Sequence, residues 1–235
     1  MAKGASLSPW AGIGIYTLPE AARLVGTNTT RIRRWLLGYR FPTRTGPGGQ
    51  SPPVFSPQLP QLDDHWAIGF LDLVELLFIK AFRDEGVSLP TIRRAAKQAA
   101  RRWETTHPFC LKRFATDGRT VFATVRNEVG EEELLELTRN QLCFRDFLAP
   151  YLKQLEYRRL GDVSRWWPLG KRVPVFLDPS ISFGRPIVAK QNVPTETIFE
   201  AVKANKSQAK VAAWYDIPLK AVRAAVRFEE ETRAA

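Results

Sequence analysis

The side chains of this chain best suited to gripping a ligand are three arginines crowded into residues 27–39, TNTTRIRRWLLGY. A guanidinium keeps its charge and presents a planar fork of donors, so it pairs with phosphate oxygens or with the O6/N7 edge of guanine. At about 100° per residue, Ile32, Trp35 and Leu36 fall on one side of a helix. Thr30 and Arg34 fall nearly opposite, with Arg31 and Arg33 beside them. Threonine and arginine on the outer face suit a helix whose N-terminal half enters the major groove. Thr29, Thr30, Arg31, Arg33 and Arg34 are therefore candidate contacts to duplex DNA, extended by Tyr39, Arg40 and Arg44. The plainer alternative is a solvated face that happens to be basic.

Such a helix needs a partner to lie on, and the preceding residues supply one. In YTLPEAARLVG, Thr17 can cap a helix, Pro19 suits its first turn and Glu20 favours the positive end of its dipole. Ala21, Ala22, Leu24 and Val25 give that helix an apolar face, and Gly26 suits a left-handed C-cap. Asn28 can then cap the arginine-bearing helix, which Gly38 stops. Two short helices around a glycine turn predict a helix-turn-helix. The proline- and glycine-rich stretch from 41 to 65 reads as a loop. A wing touching the DNA backbone through Arg40 and Arg44 and a plain surface insertion are equally compatible with it.

Charge supports the same partner. The chain of 235 residues carries a formal net charge of +11, of which residues 1–60 hold +6, residues 61–160 hold +1 and residues 161–235 hold +4. Basic charge concentrated at one end suits a polyanion. No apolar run is long enough for a membrane span, and MAKGASLSPWAGIGIY lacks the apolar core of a secretory signal, so a cytoplasmic location is expected. Cys110 and Cys143, 33 residues apart, form no CxxC and are expected to be reduced structural thiols. His65 beside Asp63 and Asp64 is a poor metal set, because three adjacent loop residues rarely meet ligand geometry. His107, before Pro108, reads as structural, a contact at a helix C-terminus. Neither GxSxG, nor HExxH, nor a phosphate-cradling glycine loop occurs, so no enzyme chemistry and no cofactor are expected.

Further along, Phe70 to about Glu85 is apolar on nearly every side and predicts a central helix with more than one neighbour. Ser88 and Pro90 open a second helix carrying Arg93, Arg94, Lys97, Arg101 and Arg102, a stripe that is solvated or lies on phosphates or an acidic partner. Asp117-Gly118 is a turn pair between two strand-like runs and predicts a β-hairpin with Phe114 opposite Val121. A helix to about Tyr157 follows, then a connector in which Trp166 and Trp167 must pack on a neighbour. The last block holds three short helices, a second helix-turn-helix-like bundle. The expected fold is thus mainly α with a small β-hairpin. Its parts are an arm (1–12), a DNA-binding domain (13–105, interrupted at 41–65), a hairpin and helix (106–160), a linker (161–177) and a three-helix bundle (178–235).

Two resemblances rest on these residues. LPEAARLVGTNTTRIRRW and DLVELLFIKAFRDEGVSLPTIRR resemble the DNA-binding half of MerR-like regulators, with the wing replaced by the proline- and glycine-rich insertion. Over roughly residues 13–230 the chain resembles VapB-like antitoxins. The ordered set FLDLVEL, AFRDEGVSLPTIR, HPF, TDGRTVF, LDPSISFGRPIVA, VPTETIFEAVKAN and AAWYDIPLKAVRAAVRFE carries the likeness. It departs at AKQNVP, where the family usually has a glycine-threonine-arginine turn. The resemblance implies a type II toxin–antitoxin role without catalysis: binding a PIN-like ribonuclease toxin and repressing the operon through its promoter. It also implies a homodimer, with the helix around Phe70–Phe82 or the C-terminal bundle as interface. Aromatic anchors dominate protein interfaces, so Trp214, Tyr215 and Phe228 are candidate toxin contacts, although Trp214 and Phe228 are better suited to filling the bundle's core. Two other readings remain: a stand-alone MerR-like regulator sensing a ligand through residues 106–235, and a scaffold pairing proteins.

Overall fold

The computed structural model describes residues 12–42, 46, 48–61, 65–127, 147–159, 161–188 and 191–234. The fold is mainly helical, with small antiparallel strand pairs between the helices. Helices α1 (Leu18–Val25) and α2 (Thr29–Leu37) lead into strands β2 (Tyr39–Phe41) and β3 (Gly49–Ser51), after a short β1 (Tyr16–Thr17) that pairs with β4 (Ala67–Ile68). Helices α3 (Phe70–Asp84), α4 (Leu89–Trp103) and α5 (Lys112–Asn127) follow.

The centre is α3, whose all-round apolar sequence buries Phe70, Leu73, Leu76, Phe78, Ile79 and Phe82 against α1, α4 and the turn at Pro108–Cys110. This burial within one chain takes α3 out of consideration as a dimer interface. Phe78, Phe82, Phe109 and Phe114 form a ring cluster, with centroids 4.8 Å apart for Phe109–Phe114 and 5.4 Å for Phe78–Phe114. Beneath it lie buried polar groups that are hydrogen-bonded, as burial requires. Asp72 accepts from the backbone N–H of Gly69 at 2.8 Å, and its Oδ1 is 2.7 Å from His107 Nε2. His107 is thus structural through Asp72 rather than through a helix end. Glu75 accepts from Phe109 N at 2.8 Å, and burial pushes its carboxyl well above the usual carboxylate range. Cys110 is a buried free thiol, while Cys143 lies outside the described residues.

The sequence reading fails at Asp117-Gly118, which sit inside α5 and not in a hairpin turn. Phe114, Gly118 and Val121 are buried at helical spacing, and Phe114 inserts among Phe78, Phe82 and Phe109. Tertiary burial of one helical face outweighs the local turn preference. The antiparallel pairs lie elsewhere. After a helical stretch at 147–153 come β5 (Leu155–Tyr157) and β6 (Val163–Trp166), which pair. β7 (Val175–Phe176), β8 (Ile187–Val188) and β9 (Val193–Pro194) form a small sheet. Residues 161–177, expected as a linker, therefore carry two strands and bury Val163, Trp166 and Val175 in the main core. Trp166 also donates from Nε1 to Gln154 at 3.1 Å.

Helices α6 (Thr195–Asn205), α7 (Gln208–Trp214) and α8 (Leu219–Ala234) close the chain around a second core of Val188, Ile198, Val211, Ile217 and Val222. This bundle docks on the first helices. Ala224 and Phe228 of α8 enter the main core, and buried Glu229 accepts from Thr195 Oγ1 at 2.6 Å and lies 3.8 Å from Arg23 of α1.

Candidate nucleic-acid interface

Local chemistry fixes α1 and α2 before any packing. Thr17 caps α1 in a capping box: Glu20 N donates to Thr17 Oγ1 at 3.3 Å, while Glu20 Oε2 accepts from Thr17 N at 2.8 Å. Gly26 ends the helix in the left-handed region (φ 73°, ψ 49°), where a side chain is disfavoured, and Thr27 N reaches back to Ala22 O at 2.9 Å. Asn28 then caps α2, its Oδ1 accepting from Arg31 N at 2.8 Å. Ile32, Trp35 and Leu36 are buried against α1, as the helical wheel requires. These residues make a helix-turn-helix whose second helix is held by three apolar side chains.

The opposite face of α2 is open. Thr30, Arg31, Arg33 and Arg34 are exposed and Thr29 is half-buried. Among the described residues no carboxylate pairs with these guanidiniums; Arg34 instead lies over the Tyr39 ring, 5.3 Å from its centroid. Their charge is therefore available to an external anion.

The segment after α2 is a β-hairpin. Tyr39 pairs with Ser51, Arg40 with Gln50 and Phe41 with Gly49, which puts half-buried Tyr39 and exposed Arg40 directly beside α2. Arg44 lies outside the described residues. The hairpin turns off α2 at Gly38 (φ 75°, ψ −176°), a conformation that belongs almost exclusively to glycine. A Cβ there would overlap the carbonyl oxygen of Ser51. The return strand is clamped by Arg93 of α4, which donates to Ser51 Oγ at 2.8 Å, Pro52 O at 2.7 Å and Pro53 O at 3.2 Å. Partial burial lowers the Arg93 pKa from its ordinary value.

Sequence reasoning placed Arg93 in a basic stripe and missed this clamp. Its acceptors lie about forty residues away and are mostly backbone, so no pattern of residue types announces them. Of the remaining stripe, Lys97, Arg101 and Arg102 are exposed.

The three aromatic residues singled out in the C-terminal bundle separate cleanly. Trp214 is 62% exposed and Tyr215 half-buried, whereas Phe228 is 1% exposed. Phe228 belongs to the core that joins α8 to the first helices, so it cannot serve as a surface anchor. His65 is exposed, while Asp63 and Asp64 lie outside the described residues. No helix among the described residues is long and apolar enough to cross a membrane.

The family described as "Putative DNA-binding HTH domain" matches residues 14–96, which span α1 through most of α4, and the family described as "Protein of unknown function (DUF433)" matches residues 175–228. The crystal structure of Rv2018 from Mycobacterium tuberculosis has the same fold, with a TM-score of 0.73 at 21% identity over 92% of this chain and 98% of that one. In sequence the chain is similar, at 23% identity over 87% of its length and 89% of the relative's, to the "Putative antitoxin VapB45" of Mycobacterium tuberculosis.

Proposed function

We propose that this chain is a non-enzymatic, cytoplasmic antitoxin that binds a PIN-like ribonuclease toxin and, as a homodimer, represses its own operon by binding promoter DNA. The observation that carries the DNA half is the open face of α2, where exposed arginines, without acidic partners among the described residues, stand on a capped and packed helix beside a β-hairpin. Helices of this kind place their N-terminal residues in the major groove while flanking elements hold the phosphates. Arg31, Arg33 and Arg34 face the duplex with Thr29 and Thr30, and Tyr39, Arg40 and Arg44 extend the contact to the backbone. The likeness to an antitoxin over most of the chain supports the toxin half, and exposed Trp214 beside Tyr215 is the anchor that we assign to it.

The test is a gel shift of the full chain on the DNA upstream of its gene, with and without Arg33→Ala plus Arg34→Ala. A base-reading arginine costs about 1–3 kcal/mol on removal and relaxes sequence preference. Unchanged affinity in the double variant overturns the assignment of α2. Failure of the chain to co-purify with, and inhibit, the ribonuclease encoded by the adjacent reading frame overturns the antitoxin half.

A further inference from the structure

The turn between α1 and α2 occurs twice in this chain. After α7, Asp216 adopts the left-handed conformation (φ 50°) that Gly26 adopts after α1 (φ 73°). Ile217 N donates to Ala212 O at 3.0 Å, as Thr27 N donates to Ala22 O at 2.9 Å. Asp216 N donates to Ala213 O at 3.4 Å, as Gly26 N donates to Arg23 O at 3.3 Å. In each case the next helix begins three residues after the left-handed position, at Thr29 and at Leu219.

A single shift of 190 residues aligns the packing as well. Ala22 and Ala212, Ile32 and Val222, and Trp35 and Ala225 are buried pairs. The same shift aligns exposed Thr30 with exposed Lys220, and exposed Arg33 with exposed Arg223. Two positions differ in kind: Arg31 corresponds to Ala221, which is buried in the second core, and Arg34 to Ala224, which is turned into the main core where α8 docks. The outward face of α8 is therefore narrower than that of α2: Lys220 and Arg223 stand on its N-terminal half, followed by Arg227 and then by exposed Glu230 and Glu231.

Charge selects the occupant of that face. From 203 to 223 the chain holds five cations, Lys203, Lys206, Lys210, Lys220 and Arg223, all exposed, against the single carboxylate of Asp216. The acidic residues of α8 lie toward its C-terminal end, where Glu231 pairs with Arg227 and buried Glu229 faces α1 and α6. The N-terminal half of α8, the part that enters a groove in helix-turn-helix proteins, is thus cationic. We infer that residues 208–227 form a second helix-turn-helix that binds duplex DNA through Lys220 and Arg223. This extends the DNA-binding reading of α2 but depends on different residues.

The test uses the full chain, a labelled duplex from upstream of its gene and a scrambled duplex of equal length, titrated across a range of salt. Each phosphate contact contributes close to one unit to the slope of log affinity against log salt. Lys220→Ala with Arg223→Ala is expected to lower that slope by about two units on both duplexes, with circular dichroism unchanged because both side chains are exposed. Arg223→Lys, which keeps the charge, is expected to restore most of its share. A slope and affinity equal to those of the parent chain overturn the inference. Arg33→Ala with Arg34→Ala is measured in parallel. If that pair leaves binding intact while the α8 pair weakens it, the assignment of α2 fails and this one stands.

Discussion

Tyr16, at the entry to α1, donates its hydroxyl hydrogen to the carbonyl oxygen of Gly184 at 2.7 Å, across 168 residues of sequence. The backbone adds a second tie next to it, from Ile15 N to Phe183 O at 3.0 Å. The first helix-turn-helix is thus pinned by the turn at Ser182–Gly184. Tyr16→Phe leaves the Gly184 carbonyl without its partner in a buried place, which costs about 1–3 kcal/mol. Burial, reinforced by the charges of Glu20 and Asp178, pushes the Tyr16 phenol far above its ordinary range. The unfolded chain loses that proton near pH 10 and the folded chain keeps it. The stabilisation is therefore complete below that pH and falls by about 1.4 kcal/mol per pH unit above it. Urea unfolding at pH 9 and pH 11 should show a smaller pH dependence in Tyr16→Phe than in the parent.

Gly38→Ala tests the joint between α2 and the hairpin. The φ of 75° with an extended ψ strains any side chain, and the added methyl meets Ser51 O. A loss of about 1–3 kcal/mol is expected from the strain alone. DNA affinity should fall more than in a variant of equal stability altered elsewhere, because β2 and β3 must swing away from α2. Equal losses would show that the hairpin makes no contact with DNA.

Glu75→Gln probes the buried acids. Burial is the largest influence on Glu75 and, with the nearby Asp72 charge, keeps its proton on well above the usual carboxylate range. The unfolded chain releases that proton near pH 4.5. Stability therefore falls as pH rises from there toward the raised value, by about 1.4 kcal/mol per unit. Glutamine keeps an oxygen for Phe109 N and cannot ionise, so the variant should lose one proton's worth of that slope between pH 5 and pH 7. An unaltered slope would mean that Glu75 is ionised in the folded chain.

Phe228→Ala and Trp214→Ala should behave in opposite ways. Phe228 is fully packed in the core that joins α8 to the first helices, so its truncation is expected to cost about 3–5 kcal/mol. Trp214 is mostly exposed, and its truncation should leave the melting temperature within a degree or two while weakening toxin co-purification. Normal co-purification of Trp214→Ala removes it as an anchor.

The first helix-turn-helix was legible in sequence because its determinants are local. Thr17, Gly26 and Asn28 act on their own helix ends, and Ile32, Trp35 and Leu36 share a face at the helical period. Asp117-Gly118 misled for the converse reason. A turn preference worth little in isolation met a cluster of phenylalanines that rewards a helix, and those rings come from residues 78 to 114. Strands of two to four residues, such as β5 to β9, are too short for a period of two to stand out. The β-hairpin at 39–51 was not legible because Gly38 and Arg93 hold it largely through backbone atoms, which residue types do not encode.

The docking of α8 on α1 also sets a timetable. The core of the amino-terminal helices includes Phe228, so it cannot close until some 190 residues after Leu36 have been synthesised. At about 5–20 residues per second, that interval is on the order of 10–40 seconds. During that time the apolar face that α8 will cover stands open on the nascent chain, where a chaperone or a protease can reach it. The supply of finished protein then depends on how fast the ribosome reaches α8 as well as on how often it starts.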